Sequence, residues 1–489
     1  MAVIKRKPLY FIVPLIVIVF LLPIFKMEYA TDTYHFENYG FSVTVNHMLN
    51  DNGRPIIAGF LALFDVMGAS VTAFYYFSLL VGIVATTVAI IRLYGILKGY
   101  MSLACALFFA IFTVLTPFTT DYFLFIEKGF FMVSVCMWVV ALEGYLKILK
   151  GERIGWALSL VGIVVAFFTY QIIPGAFAVT ATLFAVVHSK NLKKVLINLL
   201  VAIGIYGAGA ISSVLFLKLF TDSNRVSAGL NIKYLFNAVF FAGYKTVFIY
   251  AGALLLLIVA CAAINKAKGN RAFCKQTGVD FLKTAMVLLS GVAVMVVPFA
   301  FSEGSEVWLP FRISYPISVA IIGVAMYFCL RVEYAVNGQK DNFSKARAKR
   351  ASTVVMAVIL VLNLTFFYVM FFSRQINNSV DEELVLKIGE EISLYEKESG
   401  KEIKYIRIYH DESITVRNNG VIRLGDTNVR AFSKSWSDVS HINVILGKKY
   451  VKKGANKGIY EKYFEGKDWD SFSLEQLVFE GENLHICVY

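Results

Sequence analysis

The sequence is too apolar for an ordinary soluble protein, since 58% of its 489 residues are hydrophobic and 15% are aromatic. Apolar runs of about 18 or more residues recur as far as Phe372, which predicts a polytopic helical membrane protein. The net charge of +13 belongs to this apolar part, because residues 374–489 carry 17 Lys and Arg against 19 Asp and Glu. We interpret the basic excess as a membrane-topology signal. No nucleic-acid-binding motif accompanies it, so we expect no nucleic-acid partner.

The apolar runs predict about eleven transmembrane helices. They lie near 9–25, 71–92, 101–118, 130–148, 155–169, 172–188, 195–219, 239–263, 281–300, 312–331 and 351–372. With the N-terminus in the cytoplasm, 22 of the 30 basic residues of the apolar part fall inside, which favours that orientation. We therefore predict a multi-pass protein of the plasma or inner membrane, surrounded by the lipid bilayer, with a cytoplasmic N-terminus.

The segment 155–188 allows two interpretations. It forms either two short helices broken at Tyr170–Gly175 or one long helix kinked at Pro174. Two helices are needed for the lysines at 190–194 to fall inside, and we prefer that interpretation. The apolar segment Pro55–Gly68 is too short to span a bilayer and suits an interfacial or re-entrant helix.

An odd number of helices places the C-terminal part outside the cytoplasm. We predict a membrane domain at 1–373, with an outer loop at 26–70, and a small extracytoplasmic α/β domain at 374–489. In the latter, Asp381–Ser399 predicts an amphipathic helix, and the predicted strands are Lys404–His410, Ile442–Leu446 and Leu484–Tyr489. The sequence has no GxGxxG, no Walker loop, no nucleophile elbow and no Cys/His metal spacing, so we expect neither a cofactor nor a metal.

The polar stretch Ala30–Pro55, directly after the first helix, suggests an active-site loop. It holds Asp32, His35, Glu37, Asp51 and Arg54. Nucleotide sugars do not reach the outer face, whereas polyprenyl-phosphate sugars do. Transfer from such a donor to a hydroxyl needs a carboxylate base and cations that hold the leaving phosphate.

Asp32 and Glu37 are the candidate bases, and their alternative role is to solvate the end of the first helix. Five residues apart, they would not share one face of a helix. Arg54 is a candidate phosphate ligand or an interfacial anchor, and Arg312 at the start of a late helix has the same two interpretations. Further candidates stand in a short outer loop and at the 155–188 break: Asp121, Glu127, Lys128, Tyr170 and Gln171.

These residues carry a resemblance to a known family. The elements are Asp32 after the first helix, Gly53-Arg54-Pro55, Tyr170-Gln171 before a proline, Arg312, and the segment Arg430–Trp436. The chain resembles the bacterial serotype-converting glucosyltransferases of the GT-C class, membrane enzymes that decorate O-antigen and related surface polysaccharides. The family commonly has a second acid beside the first, where this chain has Thr33, and an arginine where it has Phe36.

The resemblance implies transfer of a glucosyl-type sugar from a polyprenyl-phosphate donor to a surface polysaccharide acceptor. It makes Asp32 the leading catalytic carboxylate, with Glu37 and Glu127 as alternatives. Two other functions are compatible with the sequence: a transporter or flippase for lipid-linked glycans, and a non-enzymatic protein of envelope assembly. A single pocket lined by Asp32, Arg54 and Arg312 would favour the enzyme, whereas separate surfaces would favour an assembly protein.

Overall fold

The computed structural model describes residues 9–189, 191–221, 231, 233, 273–296, 311–337, 342–411, 428–469 and 471–488, and it is mostly helical with a small C-terminal sheet. The long helices, in chain order, are α1 (Leu9–Leu21), α2 (Thr31–Asn46), α3 (Pro55–Val66), α4 (Val71–Leu97), α5 (Leu103–Val114), α6 (Lys128–Leu149), α7 (Ile154–Thr169), α8 (Gly175–His188), α9 (Leu192–Phe220), α10 (Phe273–Val296), α11 (Tyr315–Asn337) and α12 (Asn342–Ser399).

Within the described ranges, seven helical segments are long and apolar enough to cross a membrane. They are Val71–Leu97, Leu103–Phe123, Lys128–Leu149, Leu192–Phe220, Val279–Val296, Arg312–Arg331 and Ser352–Ser399. Three more of the predicted spans are shorter apolar helices, at Leu9–Phe25, Ile154–Thr169 and Gly175–His188. The predicted helix 239–263 lies outside the described residues. The segment 155–188 forms two helices, α7 and α8, which confirms the preferred interpretation.

Helices α6 and α7 pack closely against each other. A Cβ added to Gly144 of α6 would lie 2.5 Å from the Ser159 hydroxyl of α7, so only glycine permits this approach. The Ser159 hydroxyl also donates a hydrogen bond to the Ala141 carbonyl. This packing holds α6 firmly, and with it Glu127, which precedes the first residue of the helix.

The predicted outer loop at 26–70 contains two helices, α2 and α3. Asp32 lies in the first turn of α2, which bends at Gly40, where φ is 81°. Helix α3 begins at Pro55 and has 12 residues, which confirms the short helix predicted there. A single turn of π-helix, His47–Asp51, connects α2 to the turn before α3. Aromatic contacts of Phe36 and Phe41 fix α2 against the apolar part, where Phe36 packs on Phe74 of α4.

Helix α12 joins the two predicted domains without a break. The predicted helices 351–372 and Asp381–Ser399 are parts of this one helix of 58 residues. The connecting residues 373–380 contain neither glycine nor proline, so nothing in the sequence ends the helix there. Its C-terminal part supplies Leu384, Val385, Ile388 and Ile392 to a second hydrophobic core, separate from that of the apolar helices.

The C-terminal sheet has four strands, β1 (Tyr405–His410), β2 (Val451–Lys452), β3 (Leu477–Glu480) and β4 (Asn483–Val488), in the order β2-β1-β4-β3. Strand β1 pairs in parallel with β2 and β4, and β3 pairs antiparallel with β4. The predicted strand Lys404–His410 is confirmed as β1, and the predicted strand Leu484–Tyr489 is confirmed as β4 up to Val488, since Tyr489 lies outside the described residues.

The predicted strand at Ile442–Leu446 is wrong. These residues end a helix, α13 (Asp438–Leu446), whose buried Val439 and Ile442 are three residues apart and so share one face. Gly447 ends the helix with a positive φ of 61°. A second short helix, α14 (Lys457–Tyr463), follows β2.

Candidate functional site

A cavity of about 590 Å³ lies between the apolar helices, α2 and the C-terminal part. We call it the polar cavity. Its walls are mainly aromatic and aliphatic, and its acidic, basic and histidine lining residues are Asp32, His35, His47, Arg54, Glu127, Arg312 and Lys434. Such a composition, apolar walls with a few convergent polar groups, is typical of small-molecule sites. Asp32, Arg54 and Arg312 therefore line one pocket.

The turn Gly53-Arg54-Pro55 fixes Arg54 at the cavity wall. Gly53 has a φ of 61°, and a Cβ there would also collide with Leu217 of α9. Pro55 is the first residue of α3, and its fixed φ restricts the backbone on the other side of Arg54. The Arg54 guanidinium lies 4.5 Å from the centroid of the Tyr170 ring, a cation–π contact.

Gln171 holds this turn from outside the cavity. Its side-chain amide donates to the Asn52 carbonyl at 3.0 Å and to the Gly53 carbonyl at 2.8 Å. The predicted pair Tyr170-Gln171 thus acts on Arg54 in two ways. Tyr170 lines the cavity and contacts the guanidinium, whereas Gln171 positions the backbone that carries Arg54.

Arg312 reaches the cavity from the turn before α11, and Asp121 orients it. The Asp121 carboxylate, only 1% exposed, accepts from the Arg312 guanidinium and from its backbone N–H, both at 3.2 Å. The Tyr122 hydroxyl donates to the Arg312 carbonyl at 2.8 Å. The guanidinium lies 4.7 Å from the Phe125 ring centroid. Asp121 is therefore a buried partner behind the cavity wall and does not line it.

Asp32 is exposed and meets the C-terminal part across the cavity mouth. The indole Nε1 of Trp436 donates to Asp32 Oδ1 at 2.9 Å, and the Thr31 hydroxyl lies 3.4 Å from the same oxygen. His35 Nδ1 lies 3.3 Å from the Trp436 carbonyl. Asp32 and Trp436 are thus joined although 404 positions separate them in sequence.

Glu127 is the second carboxylate of the cavity, and it is 4% exposed. Burial raises the pKa of Glu127, and the charge of Asp32 acts in the same direction, whereas the Arg54 guanidinium lowers it. The two carboxylates therefore differ in environment. Glu127 is enclosed beside Arg54, and Asp32 is accessible at the mouth.

Besides Asp121 and Gln171, two more predicted site residues, Glu37 and Lys128, lie outside the cavity lining. Glu37 is on another face of α2 from Asp32, as the spacing predicted, and accepts a hydrogen bond from the Tyr29 hydroxyl. Partial burial raises the pKa of Glu37 and the Tyr29 hydrogen bond opposes it. Lys128 is fully buried, with its ammonium 3.3 Å from the Tyr75 ring centroid. Lys128 therefore has a packing contact where we had predicted a substrate contact.

Sequence reasoning did not predict that the C-terminal part contributes residues to the polar cavity. Lys434 and Trp436 line the cavity, and nothing in their spacing indicates proximity to Asp32. The contact depends on α13 packing against α2, where Asn443 donates to Asn38 at 3.2 Å and Tyr34 contacts the His441 ring. Asp381 of α12 holds the neighbouring segment through Arg430 at 2.6 Å, with both side chains 1% exposed.

A larger groove of about 950 Å³ lies at the opposite end of α4, and we do not identify it with the site. The polar cavity uses Phe74 near the start of α4, whereas this groove uses Arg92 and Lys98 near its end. Its acid Glu143 is already paired with Arg92 at 2.8 Å and with Lys147 at 3.4 Å. No predicted site residue lines the groove. Within the described ranges, no group of three His, Cys, Asp or Glu side chains could hold a metal ion.

Replacing Gln171 by Leu is expected to loosen the turn that carries Arg54. Two hydrogen bonds to backbone carbonyls are lost, each of which contributes about 1 kcal/mol. If Arg54 binds the donor, the donor KM should rise about tenfold, since that corresponds to about 1.4 kcal/mol. Gln375→Leu is the matched control, because Gln375 also donates to a backbone carbonyl, that of Pro23, but lies away from the cavity. An equal rise in donor KM in both variants would contradict the role of Gln171.

Comparison with known proteins assigns no family, since no family model matches the sequence and no curated protein matches it at a significant level.

Proposed function

We propose that the chain is an integral-membrane glycosyltransferase of the GT-C type. It transfers a glucosyl-type sugar from a polyprenyl-phosphate donor to a surface polysaccharide on the outer face of the membrane. The observation that supports this most strongly is the polar cavity itself, because two carboxylates and two arginines that are far apart in sequence line it together. These residues are Asp32, Glu127, Arg54 and Arg312. The alternative of an assembly protein requires no such convergence.

The two ends of the polar cavity differ in burial and in lining residues, and this difference suits a lipid-linked donor and a soluble acceptor. Arg54, Arg312 and Glu127 lie at its enclosed end among Phe125 and Phe131, next to the apolar helices. Asp32 and Trp436 lie at its exposed end. A phosphate bound by the arginines would have its polyprenyl chain near the apolar surface, and an acceptor hydroxyl would enter beside Asp32.

The proposed reaction is a single displacement at the anomeric carbon, with inversion. The acceptor oxygen forms a bond to that carbon while its proton passes to the Asp32 carboxylate. The bond from the anomeric carbon to the phosphate oxygen breaks, and its electron pair stays on the polyprenyl phosphate. Arg54 and Arg312 stabilise the added negative charge on the phosphate. Glu127 neutralises part of the guanidinium charge when the donor is absent.

We propose about eleven membrane spans, a cytoplasmic N-terminus and an extracytoplasmic C-terminal part in a plasma or inner membrane. Two observations support this topology. The polar cavity and the basic residues Arg92, Lys98 and Lys147 lie at opposite ends of the helices. In addition, α2 of the predicted outer loop packs against α13 of the C-terminal part, so the two share one side.

The test in cells is a sugar analysis of surface polysaccharide. Cells with the wild-type protein are expected to carry a side-branch sugar that is absent from cells lacking it. Cells with Asp65→Asn, an exposed acid of α3 outside the cavity, should keep the sugar. Polysaccharide of identical composition and linkage with and without the protein would contradict the proposed function.

A further inference from the structure

Among the described residues, Trp436 is the most exposed Phe, Tyr or Trp side chain of the polar cavity. It is 46% exposed, whereas four other aromatic side chains of the lining, Phe36, Phe74, Phe131 and Tyr170, are at most 5% exposed. The Lys434 ammonium lies 5.4 Å from its ring centroid. The indole thus offers a flat apolar face at the mouth of the cavity, where a ligand that enters the cavity can contact it.

The polar edge of the same indole is already occupied by Asp32. Its N–H donates to Asp32 Oδ1 at 2.9 Å, and Lys434 lies over one face of the ring, so the exposed part of the ring and the second carboxylate oxygen, Oδ2, remain for another molecule. The apolar C–H face of a pyranose packs on flat aromatic rings, and its hydroxyls bond to neighbouring carboxylates. A sugar lying on Trp436 would thus present a hydroxyl to Asp32.

We propose that Trp436 is the binding platform for the acceptor sugar and the residue that positions Asp32, so that the C-terminal part completes the acceptor site. This rests on the proposed transferase function and identifies which substrate the C-terminal part binds. The donor is assigned to the other end, because the arginines and the apolar walls lie there. The platform is held by the rigid contact of α13 with α2, since Asn443 and Ser440 both bond to Asn38.

The test measures KM and kcat for each substrate with the full-length protein in liposomes. The acceptor probe is the surface polysaccharide isolated from cells that lack the protein, and the donor probe is polyprenyl-phosphate glucose. Trp436→Ala removes the ring and is expected to raise the acceptor KM about tenfold, with the donor KM unchanged. Trp436→Phe keeps a flat ring without the N–H. It should keep the acceptor KM within about twofold and lower kcat about threefold, because Asp32 loses its orienting donor.

Two controls separate binding from folding. Tyr463→Ala removes a partly exposed aromatic ring of α14 outside the cavity and should change neither KM. If Trp436→Ala lowers the melting temperature, the acceptor KM of Trp436→Leu is compared with that of Trp436→Phe instead. Leu and Phe have similar apolar bulk, and only Phe should retain the acceptor KM.

Two results would overturn the inference. One is an acceptor KM unaffected in Trp436→Ala and Trp436→Leu, and the other is a rise in the donor KM instead. Either would leave the transferase function standing, because the wild-type protein would still transfer sugar. Absence of transfer by the wild-type protein would instead contradict the proposed function, and the inference would fail with it.

Discussion

Replacing Asp32 by Asn is expected to abolish sugar transfer while the protein remains folded. Asparagine cannot accept the proton of the acceptor hydroxyl, and loss of a general base lowers kcat by about 10²–10⁴-fold. The amide oxygen can still accept the hydrogen bond from Trp436, so the cavity mouth should keep its geometry. Asp32 is exposed, and surface substitutions of this kind change the free energy of unfolding by about 0.5 kcal/mol or less. The measurement is kcat in liposomes together with the melting temperature.

Asp65→Asn is the control for this prediction, because it removes an exposed acid of the same segment outside the cavity. It should retain full activity. A further variant, Glu127→Gln, tests the competing assignment of the base. If Asp32→Asn transfers sugar at the wild-type rate and Glu127→Gln does not, Glu127 is the base and the role of Asp32 is refuted.

Substitutions at Arg312 and Asp121 are expected to change the stability of the protein and its transfer activity to different extents. Arg312→Met leaves the Asp121 carboxylate, 1% exposed, without its guanidinium. Breaking a buried ion pair in this way costs about 3–5 kcal/mol of stability. The same variant removes a cation from the proposed phosphate site, which should lower kcat by about 10²–10³-fold.

The double variant Arg312→Met with Asp121→Asn separates these effects. A neutral amide at position 121 can still accept from the backbone N–H of residue 312, so most of the melting temperature should return. Activity should not return, because the cavity still lacks the guanidinium. Arg92→Met is the matched control. Its pair with Glu143 is 43% and 31% exposed, and such pairs contribute about 0–1 kcal/mol. Recovery of transfer in the double variant would show that Arg312 does not act on the donor.

The helices of the apolar part could be predicted because they are apolar runs, and the break at Tyr170–Gly175 followed from the basic residues beyond it. The strand error at Ile442–Leu446 has a simple cause. A short apolar run suits a buried strand or a helix equally, and only the packing of α13 between α12 and α2 decides between them. Local sequence does not contain that information.

The site could be predicted in part for a related reason. Asp32, Arg54, Tyr170 and Arg312 were identifiable because polar groups are rare beside apolar helices. Lys128 has the same sequence signal, but it is fully buried outside the cavity lining, with its ammonium against the Tyr75 ring. Trp436 belongs to the segment Arg430–Trp436 that carries the family resemblance, but its place in the site could not be predicted, because its proximity to Asp32 arises from two tertiary contacts, of α13 with α2 and of Arg430 with Asp381.

The most direct test of the central claim is sugar transfer by the purified protein in liposomes. The liposomes contain polyprenyl-phosphate glucose labelled in its sugar, and the polysaccharide of cells lacking the protein is added outside. The account predicts that label appears in the polysaccharide with the wild-type protein and stays at background with Asp32→Asn. Equal labelling with both proteins would contradict it. So would a wild-type protein that carries the labelled lipid across the bilayer and leaves the polysaccharide unlabelled.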